Sequence, residues 1–314
     1  MANRVTISAV GPNPPTGFRG IAGQAAADAM QEHWTREIAQ VLPDKPDLIV
    51  VPEACDRFPE HTKEERHAYY RFRGTAMRDF FARIARENRC YVAYSAAREL
   101  PDGTWRNSTQ IIDRKGTVVG IYDKNHLVIE ETTEHGILCG KGSSPIKTDF
   151  GTLSCAICFD LNFQEILEKT KANRPDLVVF CSMYHGGLMQ NQWAYQCRSH
   201  FVGAIAGRPP SALINPLGEI LAQSTNYFDF VTARLNLDCC VVHLDYNGEK
   251  LAAARRKYGP GVTVHDPGNL GAVLVTSELD GVTAQQIVKE FGIELWDDYF
   301  ERAMAHRRAH TAAE

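Results

Sequence analysis

The chain has 314 residues, of which 44% are apolar and 23% are charged, a composition typical of a globular protein that buries a large core. Its formal net charge of -4 supplies no basic field for a phosphate backbone, so we expect no nucleic-acid partner. No apolar run approaches the roughly 20 residues of a membrane helix. Residues 1–10 lack the features of a secretory signal, so we expect a cytoplasmic protein with no membrane partner.

Apolar runs alternate with amphipathic helical patterns in the first third of the chain. Strands are predicted over residues 5–10 and 48–51. Each is followed by apolar residues at helical spacing, first Ala26, Met30, Trp34, Ile38 and Val41, then Met77, Phe80, Phe81, Ile84 and Ala85. This alternation is typical of the α/β class.

Further strands are predicted along the rest of the chain, over residues 91–96, 108–112, 117–122, 153–158, 177–181, 212–214, 219–222, 231–235 and 241–245. A helix is predicted over 163–172. No repeat or linker divides the chain, so we assign residues 1–258 to one domain and 259–314 to a C-terminal extension. A helical pattern over 295–304 in this extension is expected to pack on the domain or on a partner subunit.

Three reactive side chains directly follow predicted strands. Glu53 comes after Leu-Ile-Val-Val-Pro, Lys124 after Ile-Tyr-Asp, and Cys158 after Cys-Ala-Ile. Functional sites of α/β sheets collect at the carboxyl ends of strands. A cysteine attacks as thiolate, which needs a base to take its proton and a cation to favour its charge. Each residue alone would more often be structural, but together they form a candidate nucleophile, base and cation.

These side chains lie in three motifs, Pro-Glu-Ala over residues 52–54, Tyr-Asp-Lys-Asn-His-Leu over 122–127, and Ile-Cys-Phe-Asp-Leu-Asn-Phe-Gln-Glu over 157–165. In order and spacing the motifs resemble the nitrilase superfamily of carbon-nitrogen hydrolases. Asn-Pro-Leu-Gly-Glu over 215–219 adds to the likeness. The resemblance extends over residues 5–245.

The resemblance implies a four-layer α-β-β-α sandwich that assembles into homodimers or larger homo-oligomers and needs no cofactor. It also implies that Glu53 is the general base and Cys158 the nucleophile, while Lys124 and the backbone N–H of Phe159 stabilise the oxyanion. The expected reaction cleaves a non-peptide carbon–nitrogen bond of a small molecule through a thioester acyl-enzyme.

A loop glutamate between the lysine and the cysteine also assists in relatives. The resemblance favours Glu134 for this role over Glu130 or Glu131, and the alternative for Glu134 is an exposed loop acid.

Three residues near predicted strand ends are candidates for binding the substrate, namely His126, Tyr184 and His185. Either histidine could instead be structural.

Two patterns suggest other chemistry. Cys155 and Cys158 form a CxxC pair, but residues three apart in a strand point to opposite faces, and no second pair has zinc spacing. We therefore expect no metal site, and reduced thiols for the nine cysteines. The loop Gly140-Lys141-Gly142 lacks the spacing of a phosphate-binding loop.

The residues after the candidate nucleophile bear on the substrate class. Phe159-Asp160 stands where true nitrilases tend to have Trp-Glu and resembles the amidase and carbamoylase branches, so nitriles are the weaker choice. Leu161-Asn162 stands where hydrolases of N-carbamoyl-D-amino acids have paired arginines. The resemblance favours hydrolysis of a linear small-molecule amide, with N-carbamoyl amines or amino acids as the alternative.

Two other function classes stay open. A non-catalytic scaffold with this fold is opposed by the intact reactive set, and a glutaminase module would need a separate synthetase partner.

Arg57, Arg73 and Arg198 could hold an anionic substrate, although arginines near helices and loops are more often surface charges.

Overall fold

A computed structural model describes residues 2–207 and 209–311. The described chain divides into two compact units, one formed by Val5–Arg234 and the other by residues 2–4 together with residues 235–311. Each unit is described by itself. No helix in the described part of the chain has both the length and the apolar character needed to cross a membrane.

The larger unit contains two six-stranded sheets. In spatial order the first sheet consists of β12 (Phe230–Asn236), β1 (Arg4–Val10), β2 (Leu48–Val50), β3 (Tyr91–Glu99), β4 (Trp105–Ile112) and β5 (Val118–Asp123). The strands β1, β2 and β3 pair in parallel, whereas β3, β4 and β5 form an antiparallel meander. Strand β2 ends shortly before Glu53 and β5 ends directly before Lys124, two of the reactive residues that were singled out from the sequence.

The second sheet consists of β11 (Ile220–Gln223), β10 (Ala212–Ile214), β9 (His200–Ile205), β8 (Leu177–Ser182), β7 (Thr152–Ile157) and β6 (Ile146–Lys147). Its central strands β7, β8 and β9 are parallel, and every residue in them is buried. Parallel strands covered on both faces need such continuous apolar runs, which explains why these segments show no alternation in the sequence.

Helices cover the outer faces of the two sheets. Against the first sheet lie α1 (Gly23–Ala39), α2 (Lys63–Arg73) and α3 (Ala76–Asn88), and against the second lie α5 (Gln164–Ala172) and α6 (Met189–Cys197). The inner faces meet where β2 lies against β9 and β4 against β7. The predicted α/β class and the four-layer sandwich implied by the resemblance are confirmed.

The smaller unit is built on a three-stranded antiparallel sheet in the order β13 (Cys239–His243), β15 (Ala272–Ser277) and β14 (Val262–His265). Three helices accompany it, α7 (Gly248–Tyr258), α8 (Ala284–Glu290) and α9 (Trp296–His310). The sequence placed a domain boundary at residue 258, whereas the structure groups residues 235–258 with the C-terminal residues. The reason is that β13 hydrogen-bonds along its length to β15, a strand that was missed in the predicted extension. Residues 312–314 of that extension lie outside the described residues.

Candidate active site

The three reactive side chains predicted from strand ends lie together in the larger unit. Lys124 Nζ donates to Glu53 Oε1 at 2.8 Å, and the charges of both residues act on the pKa of the Cys158 thiol. Glu53 and Lys124 are buried, with exposures of 5% and 2%. One residue comes from the second sheet and two from the first, so the cluster depends on how the two sheets stack.

Cys158 begins a short 3₁₀ helix, Cys158–Asn162, directly after β7. Its φ of 48° lies in the left-handed region, which costs a residue with a Cβ. The predicted strand included Cys158, but β7 ends at Ile157, and the sharp turn separates the thiol from the strand's buried row. The N–H of Phe159 lies in the first turn of this helix, where N–H groups have no partner within the helix.

Asp160 holds this turn against the end of β5. Its Oδ1 accepts hydrogen bonds from the backbone N–H groups of Asn125 and His126, at 3.1 and 2.7 Å. Its Oδ2 accepts from the Tyr122 hydroxyl at 2.7 Å and from the Ile157 N–H at 3.2 Å. One fully buried carboxylate therefore joins the residues on both sides of Lys124 to the cysteine turn.

The loop around Gly140 also supports the lysine. Gly140 N–H donates to the carbonyl of Lys124 at 2.7 Å, and a Cβ at this glycine would lie 2.2 Å from the Asp123 carbonyl oxygen. Gly140 is therefore needed for the close approach of the two backbone segments.

Asn107, on β4, was missed by the sequence analysis. Its Nδ2 donates to Glu53 Oε1 at 2.8 Å and to Glu131 Oε1 at 2.9 Å, so one amide holds two carboxylates. The backbone pairing of β4 with β5 brings it there, because Lys124 N–H donates to the Asn107 carbonyl at 2.8 Å. The predicted strand began at residue 108, so Asn107 stood just outside it and the sequence analysis gave no signal for this residue.

The glutamate that contacts the lysine is Glu131, and the choice of Glu134 is corrected. Glu131 Oε2 accepts from Lys124 Nζ at 2.6 Å and from the Val128 N–H at 3.0 Å. The short helix α4 (Ile129–Thr133) turns the Glu131 side chain back toward its own N-terminus, as acids in first turns do. Glu134 follows the helix, where it is exposed to solvent.

Burial and the nearby charges determine whether Lys124 and Cys158 are protonated before a substrate binds. Burial by itself lowers the pKa of Lys124, but the negative charges of Glu53 and then Glu131 oppose burial, and that pKa lies above its ordinary value. Burial, and then the Glu53 charge, raises the pKa of the Cys158 thiol to about 12, with Lys124 opposing the rise. The resting site therefore contains a charged lysine and a protonated thiol in the same cavity wall as Glu53.

A cavity of about 220 Å³ opens beside this cluster. Glu53, Lys124 and Cys158 form its reactive side. Apart from Ala54, Asn107 and Glu131, the rest of the lining divides into an apolar and aromatic group, Tyr70, Ala97, Trp105, Val128, Ile137 and Met183, and a basic group, Arg57, Arg66, His67 and His135.

The three candidate substrate-binding residues do not line this cavity. His126 stacks on Phe163 with ring centroids 3.6 Å apart, and its Nε2 lies 3.2 Å from a carboxylate oxygen of Glu165. The Tyr184 hydroxyl accepts from Asn162 Nδ2 at 2.8 Å, and His185 Nδ1 accepts the N–H of Gly187 at 3.1 Å. These contacts bind them to neighbouring loops, whereas the cavity is lined from β4, α2 and the loop after Glu53.

The other cysteines form neither a disulfide nor a metal site in the described residues. All nine cysteines are free thiols. Across residues 2–207 and 209–311, no group of three or more His, Cys, Asp or Glu side chains is arranged to hold a metal ion.

Comparison with known proteins identifies the class to which this fold and site belong. The family model of the carbon-nitrogen hydrolases matches residues 6–240. The chain therefore belongs to the carbon-nitrogen hydrolase family, within the nitrilase superfamily. Among curated proteins, the deaminated glutathione amidase of Homo sapiens is 22% identical over 221 residues, which are 61% of this chain and 67% of that protein.

Solved structures share the fold at low sequence identity. A carbon-nitrogen hydrolase from Helicobacter pylori superposes with a TM-score of 0.64 at 17% identity, covering 82% of this chain and 93% of that one. Nit3 of Saccharomyces cerevisiae, a member of branch 10 of the nitrilase superfamily, gives 0.63 at 14% identity, with 82% and 95% covered. A mutant amidase from Nesterenkonia sp. AN1, carrying acrylamide at its active-site cysteine, gives 0.59 at 16% identity, with 81% and 99% covered.

Proposed function

We propose that this carbon-nitrogen hydrolase cleaves a linear small-molecule amide to a carboxylate and ammonia or an amine, through a thioester on Cys158. The observation that carries the proposal is the buried ion pair of Glu53 with Lys124, which lines one cavity together with the Cys158 thiol. The family match and the amidase names among the relatives agree with it.

Acylation begins with transfer of the thiol proton to Glu53 as sulfur attacks the amide carbon. Because the pKa of Cys158 is raised to about 12, the proton leaves during the attack rather than before it. The oxygen of the tetrahedral intermediate takes its hydrogen bonds from Lys124 and the Phe159 N–H. Glu53 then returns the proton to the departing nitrogen as the carbon–nitrogen bond breaks, which leaves the thioester.

Deacylation repeats the steps with water. Glu53 takes a proton from the attacking water, the same donors hold the second oxyanion, and the proton returns to the sulfur as the carbon–sulfur bond breaks. Glu131 and Asn107 act as positioning residues, because they contact Lys124 and Glu53 and so fix both groups between the two half-reactions.

Hydrolysis of N-carbamoyl amino acids is the second candidate. The specific observation in its favour is that Arg57 and Arg66 line the cavity, although the paired arginines of carbamoylases are absent at Leu161-Asn162.

The test is ammonia release from a panel of aliphatic amides, aromatic amides, N-carbamoyl amines, N-carbamoyl amino acids and nitriles. We expect an amide to be turned over by the wild type and by Cys139→Ala, which removes an exposed thiol outside the cavity lining, and not by Cys158→Ala. Hydrolysis by Cys158→Ala would refute the thioester route. Turnover of nitriles alone would replace the amidase proposal with a nitrilase, and no turnover of any member of the panel would favour a non-catalytic scaffold.

A further inference from the structure

Two arginines of the cavity have no acidic partner in the described part of the chain. Arg57 lies in the loop four residues after Glu53, and Arg66 lies on α2. Arg66 donates from Nη1 to His135 Nε2 at 3.2 Å and makes a long contact of 3.5 Å to the His61 carbonyl. The Nε atoms of both arginines are buried without a hydrogen-bond partner.

Three other shielded arginines of the larger unit have carboxylate partners. Arg73 pairs with Asp56 at 2.7 Å, Arg98 with Asp123 at 2.9 Å, and Arg114 with Asp47 and Asp149 at 2.9 and 2.7 Å. A half-buried guanidinium without a partner loses hydration that nothing replaces. Arg57 and Arg66 make no such ion pair in the described residues, and both occur in the wall of one cavity.

The two guanidinium groups are also close enough to repel each other. The pKa of Arg66 is lowered, chiefly by burial and also by the charge of Arg57. Burial and the charge of Arg66 likewise lower the pKa of His135, so the ring is neutral, against the opposing effect of exposed Glu134. A bound anion would relieve the repulsion.

His135 adds a donor to the same region. An arginine only donates, so His135 Nε2 must accept from Arg66, and the ring hydrogen is then on Nδ1. His135 Nδ1 is buried and has no partner. Three residues of the basic group, Arg57, Arg66 and His135, thus each have a buried N–H group without an acceptor.

We propose that Arg57 and Arg66 form an anion subsite that binds a carboxylate on the non-reacting part of the substrate. This rests on the proposed function, since it places the reacting bond at Cys158 in the same cavity. The apolar wall that includes Tyr70 and Trp105 suits a short hydrocarbon stem between the carboxylate and the amide. The substrate class is an amide with a distal carboxylate, and fork-shaped guanidinium groups are suited to binding that group.

Matched substrate pairs test the subsite. The first pair is glutaric acid monoamide and its neutral analogue pentanamide, with the charge on the acyl part. The second is an N-carbamoyl amino acid and an N-carbamoyl alkylamine, with the charge on the leaving amine. We expect kcat/KM to favour the charged member of at least one pair by roughly 10- to 100-fold, the range for hydrogen bonds to charged groups.

Variants identify the residues responsible. Arg57→Gln and Arg66→Gln should each lower the charged-to-neutral ratio of kcat/KM by roughly 10-fold or more, mainly by raising KM for the charged member. Arg57→Lys, which keeps the charge but not the fork, should lie between wild type and Arg57→Gln. Arg71→Gln removes the same charge from an exposed position on α2 outside the cavity lining and should keep the wild-type ratio.

Equal rates for charged and neutral amides, or a ratio unchanged in both glutamine variants, would overturn the subsite while leaving the proposed function standing. If no amide is hydrolysed, the proposed function fails and the subsite is measured by calorimetric binding of glutarate. Binding by the wild type and Arg71→Gln, with loss in Arg57→Gln, supports the subsite. No binding by the wild type overturns it.

Discussion

At the scale of single residues, Glu53 raises the pKa of the Cys158 thiol that it is proposed to deprotonate during attack. Its charge stands second only to burial among the causes of that raised pKa. A thiol of this kind is protected from alkylation and oxidation until a substrate binds, since the thiolate is the reactive form.

Replacing Glu53 by glutamine should speed the alkylation of Cys158 and slow the hydrolysis of amides. In Glu53→Gln the negative charge is lost, so the pKa of Cys158 should fall from about 12, and iodoacetamide should alkylate it faster at pH 8. Amide hydrolysis should fall by roughly 10²- to 10⁴-fold, as for a lost general base. Alkylation is followed by mass spectrometry of the peptide containing Cys158, with Cys139 as the exposed reference thiol. Slower alkylation in Glu53→Gln would show that Glu53 favours the thiolate in the free enzyme.

At the scale of elements, the five-residue helix α4 determines which acid reaches the lysine. Glu131 and Glu134 are three residues apart, and one contacts Lys124 while the other faces solvent. They form a matched pair for mutation because both changes remove one carboxylate charge from the same segment.

We expect Glu131→Gln to lower kcat/KM for a hydrolysed amide by at least roughly 10-fold, the effect of weakening one hydrogen bond to a charged group. Glu134→Gln should stay within about twofold of wild type, as exposed substitutions usually do. Steady-state kinetics on both variants measures the two effects. A larger loss of kcat/KM in Glu134→Gln than in Glu131→Gln would show that Glu134 is the assisting acid.

The turn after β7 depends on Asp160, which accepts four hydrogen bonds from β5, the loop after it and the cysteine turn. Asp160→Ala leaves those donors without an acceptor. Since each buried unsatisfied group costs roughly 1–3 kcal/mol, we expect the free energy of unfolding to fall by at least about 3 kcal/mol and the melting temperature to drop. Denaturant and thermal unfolding measure this, with the exposed Asp280→Ala as the control expected to match wild type. An unchanged melting temperature for Asp160→Ala would mean that water replaces the carboxylate.

At the scale of the whole molecule, assembly into a dimer or larger homo-oligomer stays a prediction, as does a cytoplasmic location. The resemblance implies assembly through outer helices. The monomer mass is 35.0 kDa, so light scattering on a sizing column should give at least twice that mass. A mass of 35.0 kDa at micromolar concentration would contradict the prediction.

The sequence by itself determined much of the larger unit. Apolar runs and helical spacing predicted most strands of both sheets and the helices α1 and α3, because these signals are local. The segments that were missed, such as β9 and β15, carry no clear alternation or helical period, since buried strands need only be apolar. The motifs around Glu53, Lys124 and Cys158 predicted residues that the structure brings together.

Only the tertiary structure decided which other side chains join them. Asn107 reaches Glu53 through the register of β4 on β5, and Arg66 enters the cavity from α2, a helix the sequence analysis did not predict. The choice of Glu131 over Glu134 follows from the direction of a single helical turn. Contacts between residues far apart in the chain depend on sheet stacking and side-chain direction, and neither is written in local periodicity.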